Sequence, residues 1–224
     1  MALFEQIINT HSSFLGTLRH SFLDEDRKTA LQNFELKGFP TKKDEEYKYT
    51  NLKEITEKEY NFFPTEEHNI SKEQLDALHL GEENFDRIVF INGKLHKEFS
   101  KISIGNAEFL SFGYALNDSA HKEAFDQYFN TIANRDLAFT NLNSAYCNFG
   151  FFLRVPKNVV IEKPIHIFYL SQNQNENTFY NTRNLLIVEE GAKVEIIESH
   201  HNLDESFVLT NSVTEIFTYQ NAKT

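Results

Sequence analysis

Val188-Glu189-Glu190-Gly191-Ala192-Lys193-Val194 aligns with Val155-Pro156-Lys157-Asn158-Val159-Val160-Ile161 and with Thr218-Tyr219-Gln220-Asn221-Ala222-Lys223-Thr224. The alignment puts a turn residue (Asn158, Gly191, Asn221) at one position, at offsets of 33 and 30 residues. A β-rich run precedes the turn residue, as in Leu185-Leu186-Ile187-Val188 and Ile216-Phe217-Thr218, and another follows it, as in Val159-Val160-Ile161 and Val194-Glu195-Ile196-Ile197. A period of about 30 residues with short strands and one turn per copy predicts stacked coils of a β-solenoid, because no single coil buries its inner face alone. Gln172 to Asn184, rich in Asn and Gln, reads as a loop bulging from one coil, which also accounts for the longer offset. A solenoid needs about three repeats and a cap at each end. The last copy ends at Thr224, so the sequence reads as the front of a longer stack or one completed by another chain.

Ahead of the repeat the periodicity is helical. Phe4, Ile7, Ile8, His11, Leu15, Leu18 and Phe22 form the apolar stripe of an amphipathic helix over 3–23. Asp24 and Glu25 open a second helix through Ala30, Leu31 and Phe34, with Gly38 as its stop and Pro40 beyond. Residues 41–49 show no apolar period and read as an exposed connector. Ser71-Lys72-Glu73-Gln74 has capping-box spacing, with Leu75 and Leu78 on the buried side of a third helix that stops at Gly81. Ile88, Phe90 and Leu95 flank Asn92-Gly93, a hairpin signal near 86–100. A last helix is predicted from about Asp118 to Asn130. The expected fold class is α+β: residues 1–149 as a mainly helical region with one hairpin, and 150–224 as the start of a β-helix.

Composition narrows the function. With 22 Lys plus Arg against 33 Asp plus Glu, the net charge is −11. Its basic residues are scattered, so the footprint for binding a phosphate backbone is missing and nucleic acid is not an expected partner. No apolar run approaches the roughly 20 residues of a membrane span, and Met1-Ala2-Leu3-Phe4-Glu5-Gln6 has no basic leader segment, so a cytoplasmic location is expected. The one cysteine, Cys147, allows no intramolecular disulfide and no cysteine cage for zinc or an iron-sulfur cluster within one chain. With 22 Phe and no Trp, aromatic packing is expected to dominate the core.

Several stretches, in order, resemble the SufB/SufD family of the SUF iron-sulfur cluster assembly machinery, and SufD more than SufB. Gly38-Phe39-Pro40-Thr41 followed by Glu46-Tyr47-Lys48-Tyr49-Thr50 is similar to a signature near the SufD N-terminus, with Tyr47 where Trp is usual. Leu142-Asn143-Ser144-Ala145 through Gly150, Val155-Pro156 and Lys163-Pro164-Ile165 resemble the family's approach to its core. Arg183 to Ala192 and Asn211-Ser212-Val213-Thr214-Glu215-Ile216 resemble its first coils. The resemblance implies a helical N-terminal region, a β-helix core and a C-terminal helical domain. It also implies pairing with SufB through later core strands and with the ATPase SufC through C-terminal helices, both beyond residue 224. The family's cluster-building residues belong to the later core, so none transfers to a position here, and a cluster is expected only as the product of the whole assembly.

Local chemical signals are sparse. No Walker A, G-x-G-x-x-G, H-E-x-x-H or G-x-S-x-G pattern occurs. Glu198, His200 and His201 form the densest constellation, but in a strand Glu198 and His200 share one face and His201 the other, so at most two could meet one metal. Cys147, among Tyr146, Phe149 and Phe151, reads as a small buried hydrophobe rather than a reactive thiol. His11 reads as a packed histidine. His20, His68, His79, His96 and His121 have no partner at a telling spacing, and His166 alternates with Ile165 and Ile167. Lys42-Lys43-Asp44-Glu45-Glu46 is mixed in sign and reads as a solvated connector, or as a partner-docking segment if the family signature overlapping it is functional. Tyr47 is expected to pack, and as a core aromatic its truncation to Ala would cost about 2–4 kcal/mol.

These observations lead to a non-enzymatic, SufD-like scaffold subunit acting with SufB-like and SufC-like partners, with no catalytic, cofactor or metal residue assigned. One rival is a β-solenoid carbohydrate-active enzyme, which needs acidic residues aligned on one face, with Glu189, Glu190, Glu195 and Glu198 as the supply. The other is a self-assembling structural solenoid. An open solenoid end would also permit a homodimer.

Overall fold

Inward-facing side chains, among them Ile88, Phe90, Leu153, Val155, Ile167, Leu186 and Val188, form an apolar layer pressed between two sheets. The computed structural model describes residues 2–19, 21–64, 67–78, 84–173 and 176–224. The elements are α1 (Leu3–Thr17), α2 (Asp24–Lys37), α3 (Lys53–Thr56), α4 (Lys72–Ala77), β1 (Asp86–Ile91), β2 (Lys94–Leu95), β3 (Glu108–Ser111), α5 (Phe112–Ala115), α6 (Lys122–Tyr128), α7 (Ala138–Tyr146), β4 (Phe151–Val155), β5 (Ile165–Ser171), β6 (Thr178–Val188), β7 (Ile196–Asn202) and β8 (Val208–Thr218). One sheet has the order β2-β1-β5-β7 and the other β3-β4-β6-β8. In each, an antiparallel strand (β2 or β3) adjoins three mutually parallel ones.

Strand alternation sends one side chain inward and the next toward a helical layer. On the first sheet Val89, Ile91, Phe168 and Leu170 face outward to meet Leu75 of α4. Outward-facing Phe152, Leu185 and Ile187 of the second sheet pack on Phe112 of α5 and Phe125 of α6. Beside them α1, α2 and α7 share a core of Leu3, Ile7, Phe34, Leu142 and Tyr146 with Phe179 of β6. With both faces covered, β5 and β6 are buried along their whole length, as parallel strands in α/β proteins are.

This architecture corrects the expected fold class. The fold is α/β, built on two mixed sheets and covering helices, not an α+β chain that runs into a β-helix. The repeat is real but governs register: β4 pairs with β6 as Phe152↔Leu185, β5 with β7 as Ile165↔Ile196, and β6 with β8 as Leu185↔Glu215. Asn158, Gly191 and Asn221, aligned on sequence, all have positive φ (61, 68 and 59°), which Asn and Gly tolerate best. Periodicity in the last third says nothing of the N-terminal strands that join both sheets, and that is where the solenoid expectation fails.

Other expectations fare variously. The Asn92-Gly93 hairpin forms, with Phe90 opposite Leu95, and Ser71 and Gln74 make the reciprocal capping box. Helix α2 ends at Gly38, φ 68°. Helix α1 ends earlier than expected, at Thr17, with Leu18 extended. A 3-10 turn, Ser119–His121, precedes α6, which ends at Tyr128 just before left-handed Asn130. Most of the expected loop Gln172–Asn184 is strand β6. The Gly81 stop, and His20 and His79, lie outside the described residues.

The second sheet is held to the helices by a buried charge. Arg183 and Glu215 form an ion pair with side chains 0% and 1% exposed. Arg183 Nη2 also donates to Asn130 Oδ1 at 2.7 Å, and its guanidinium lies 4.6 Å from the Phe129 ring centroid. The Glu215 carboxylate accepts backbone N–H groups of Asn130, Ile132 and Ala133 at 2.9–3.2 Å. Asn143 Nδ2 donates to the Thr182 and Asn211 carbonyls, both at 2.9 Å.

Candidate functional site

Glu198 and His200 lie on the inward face of β7, at the end of the first sheet where the described residues place no further strand. Phe90, Tyr169 and His200 occupy one register across β1, β5 and β7, so their rings stack in sequence, at 5.2 and 4.7 Å with 15° between planes. His201 points to the other face and stacks on Phe168 at 6.1 Å. Glu198 accepts a 3.2 Å hydrogen bond from Asn184 Nδ2, whose amide also donates to Thr214 Oγ1 at 3.1 Å. Tyr169 Oη donates to Asn184 Oδ1 at 3.2 Å. Glu198 stays accessible from the open side, while the protein on its other side raises its pKa by desolvation. Desolvation, with a smaller contribution from His201, lowers that of His200. The two thus share one face as the strand period requires, and His201 does not join them.

The other acidic candidates are elsewhere. Glu189 pairs with Arg154 at 2.6 Å and Glu190 with Lys157 at 2.7 Å, near the repeat's turns, and Glu195 is exposed. Among the described residues, no group of three or more His, Cys, Asp or Glu is arranged to hold a metal.

Cys147 is fully buried; its Sγ donates to the Ser144 carbonyl at 3.2 Å, and desolvation raises the thiol pKa, the opposite of an activated cysteine. His11 is packed as expected, with Nε2 3.0 Å from the Ala145 carbonyl and its ring edge-on to Tyr146. Desolvation holds its pKa below the ordinary 6.5 despite that hydrogen bond. The unfolded chain therefore takes up this proton more readily, so the His11 contribution is complete above pH 6.5 and is lost as pH falls through that value toward the depressed folded one. Urea midpoints should fall more steeply for the wild type than for His11→Gln, which can still reach Ala145, as pH drops below 6.5.

Tyr47 is half-buried in the 3-10 turn Glu45–Tyr47 and stacks on Phe139 of α7 at 6.0 Å. It packs, but not as a core residue. Tyr47→Ala should cost about 1 kcal/mol, the worth of one aromatic contact, and a loss above about 3 kcal/mol in chemical denaturation would refute this placement. The rest of the connector, residues 41–50, is exposed.

His166 lies in the network between β5 and β7, 2.9 Å from Ser199 Oγ and stacked on Phe168 at 3.8 Å. His68 and His96 meet edge-on at 5.0 Å. Sequence spacing missed the contact of His121 Nε2 with Glu108 Oε1 at 3.0 Å. It joins β3 to the turn before α6, so only the tertiary fold could have revealed it.

An α/β protein with strands recurring about every 30 residues in register, and a polar inter-sheet end around Glu198 and His200, is the class these features define. Comparison with known proteins makes it specific. The family profile described as the SufBD protein N-terminal region matches residues 2–167, and that described as the SUF system FeS cluster assembly SufBD core domain matches 169–224. An iron-sulfur cluster assembly SufBD family protein of Synechocystis sp. is 26% identical over 97% of this chain and 49% of its own length. One of Staphylococcus saprophyticus is 37% identical over 35% of this chain and 17% of its own length. The chain belongs to the SufBD family of the SUF iron-sulfur cluster assembly system, and it spans about half the length of the Synechocystis relative. Among the described residues no helix is long and apolar enough to cross a membrane.

Proposed function

We propose that the chain acts as a SufD-like, non-enzymatic part of a cytoplasmic SUF scaffold, together with SufB-like and SufC-like proteins. The observation that carries this is the order of the match: N-terminal region, then core, from residue 2 to residue 224. The Gly38-Phe39-Pro40 and Glu46-Tyr47-Lys48-Tyr49-Thr50 stretches favour SufD over SufB. In this reading a cluster is the product of the whole assembly, since one buried cysteine cannot supply the usual four thiolates.

Co-expression with SufB-like and SufC-like proteins of the same source tests it. The expected result is co-purification in fixed ratio, with neither ATP hydrolysis nor a bound cluster on this chain alone after anaerobic reconstitution. A stoichiometric cluster on the isolated chain, or a turnover that survives repurification and disappears in Glu198→Gln, would sink it.

A further inference from the structure

On the side away from β8 the second sheet is bounded by β3, and there part of the backbone is left without partners. Phe112 N donates to Gly150 O at 2.9 Å, which fixes the phase of the antiparallel ladder. Glu108 and Leu110 exchange hydrogen bonds with Arg154 and Phe152, while the N–H groups of Phe109 and Ser111 and the Phe109 carbonyl point away from β4. Among the described residues these outward groups have no hydrogen-bond partner. An open strand edge is a template for another strand. When one is added, backbone bonds supply affinity and alternate side chains supply specificity. Residues 107–112 contain no Lys or Pro to guard the edge.

The neighbouring charges say what kind of strand fits. Beside β3, on its helical side, lies a polar pocket of about 410 Å³ lined by Glu108, Asp118, His121, Glu123, Phe152 and Arg154 among others. Arg154 is already paired with Glu189 at 2.6 Å, so the carboxylates of Glu108, Asp118 and the exposed Glu123 set the sign of the pocket. Glu108 stands on the edge strand itself, and the residue opposite it on an added strand would point its side chain to the same face. A second copy of β3 would bring its own carboxylates to this edge, like charge against like. We propose that β3 accepts an extended segment of a partner protein as an additional strand, with a Lys or Arg of that segment reaching the carboxylates around Glu108.

A blocked hexapeptide of alternating lysine and valine serves as the probe, titrated into the 224-residue chain while backbone amides are followed by NMR. The Phe109 and Ser111 amides should shift saturably and gain protection from exchange, and a glutamate–valine peptide should not bind. N-methylation of one alternate set of peptide nitrogens should abolish binding while methylation of the other set is tolerated, because only one edge of an added strand faces β3. Ser111 has φ −61°, so Ser111→Pro suits the backbone and removes an outward N–H without touching the β3–β4 ladder. It should weaken the peptide about fivefold, the effect of one hydrogen bond. Glu123→Lys, at an exposed position, should weaken it about tenfold at low salt. Equal binding of both N-methylated peptides, or shifts spread over the acidic surface without favouring Phe109 and Ser111, would show unspecific charge attraction and overturn the proposal. No SUF protein enters this test, so its failure leaves the proposed function standing.

Discussion

Replacing Glu215 with alanine should destabilise the chain by about 3–5 kcal/mol, the cost of leaving one charge of a buried pair uncompensated. The Arg183 guanidinium would stay fully buried, left among the described residues with Asn130 and Asn143 as neutral acceptors. Three backbone N–H groups, of Asn130, Ile132 and Ala133, would lose their acceptor as well. Glu215→Gln keeps an acceptor oxygen and should cost less. Urea unfolding at unchanged m-value measures both. A loss under about 1 kcal/mol for Glu215→Ala would mean that water reaches the pair, contrary to its burial.

The second large effect is steric. Gly150 has φ +106°, and a β-carbon there would sit 2.2 Å from the Arg183 carbonyl oxygen. That oxygen belongs to a backbone anchored on the same segment, because Arg183 N donates to Phe149 O at 2.8 Å and Phe151 N to Asn184 Oδ1 at 3.1 Å. Relief would require β4 and β6 to part. Gly150→Ala should therefore cost more than about 3 kcal/mol, combining backbone strain with overpacking. Gly191→Asn is the contrasting case. Its φ is +68°, Asn already stands at the matching positions 158 and 221, and the nearest obstacle is the tip of the Asn158 side chain. It should change stability by no more than about 1 kcal/mol. Soluble yield and thermal melts separate the two, and a Gly150→Ala chain as stable as the wild type would refute the close approach.

What could be read from the sequence was what local chemistry encodes. Asn158, Gly191 and Asn221 were alignable because each turn needs a residue tolerant of positive φ, and Ser71 and Asn92-Gly93 signal through their own backbone hydrogen bonds. The strand period likewise placed Glu198 and His200 together and His201 apart. Helix α7 has apolar residues at helical spacing, Phe139, Leu142 and Tyr146, but the stripe is only two turns long and is flanked by Thr140, Asn141, Asn143 and Ser144, polar residues that are also buried, so its helical period is weak on sequence. The first half of β6 reads as a loop on sequence because Asn181, Thr182, Arg183 and Asn184 interrupt its apolar pattern. Its side chains pair about one repeat along the chain, Asn181 with Asn211 and Arg183 with Glu215, a signal that the 30-residue offset carries only once 178–184 is read as strand. The pairing of β1 with β5, about 80 residues away, is silent on sequence, and it turned an expected coil into part of a mixed sheet.

The Asn92-Gly93 turn has a further consequence, in covalent chemistry. Asparagine before glycine is prone to deamidate, because the next backbone nitrogen can attack the side-chain amide carbon and expel ammonia, closing a succinimide that water then opens to aspartate or isoaspartate. Here Asn92 is completely buried, and its amide is clamped at both ends: Nδ2 donates to the Gln172 carbonyl at 3.0 Å and Oδ1 accepts from Gln172 N at 2.9 Å. Ring closure requires those bonds to break. The intact hairpin thus protects an otherwise labile site, and slow conversion of Asn92 to aspartate or isoaspartate, followed by peptide mapping of aged samples, would act as a clock for how often this turn opens.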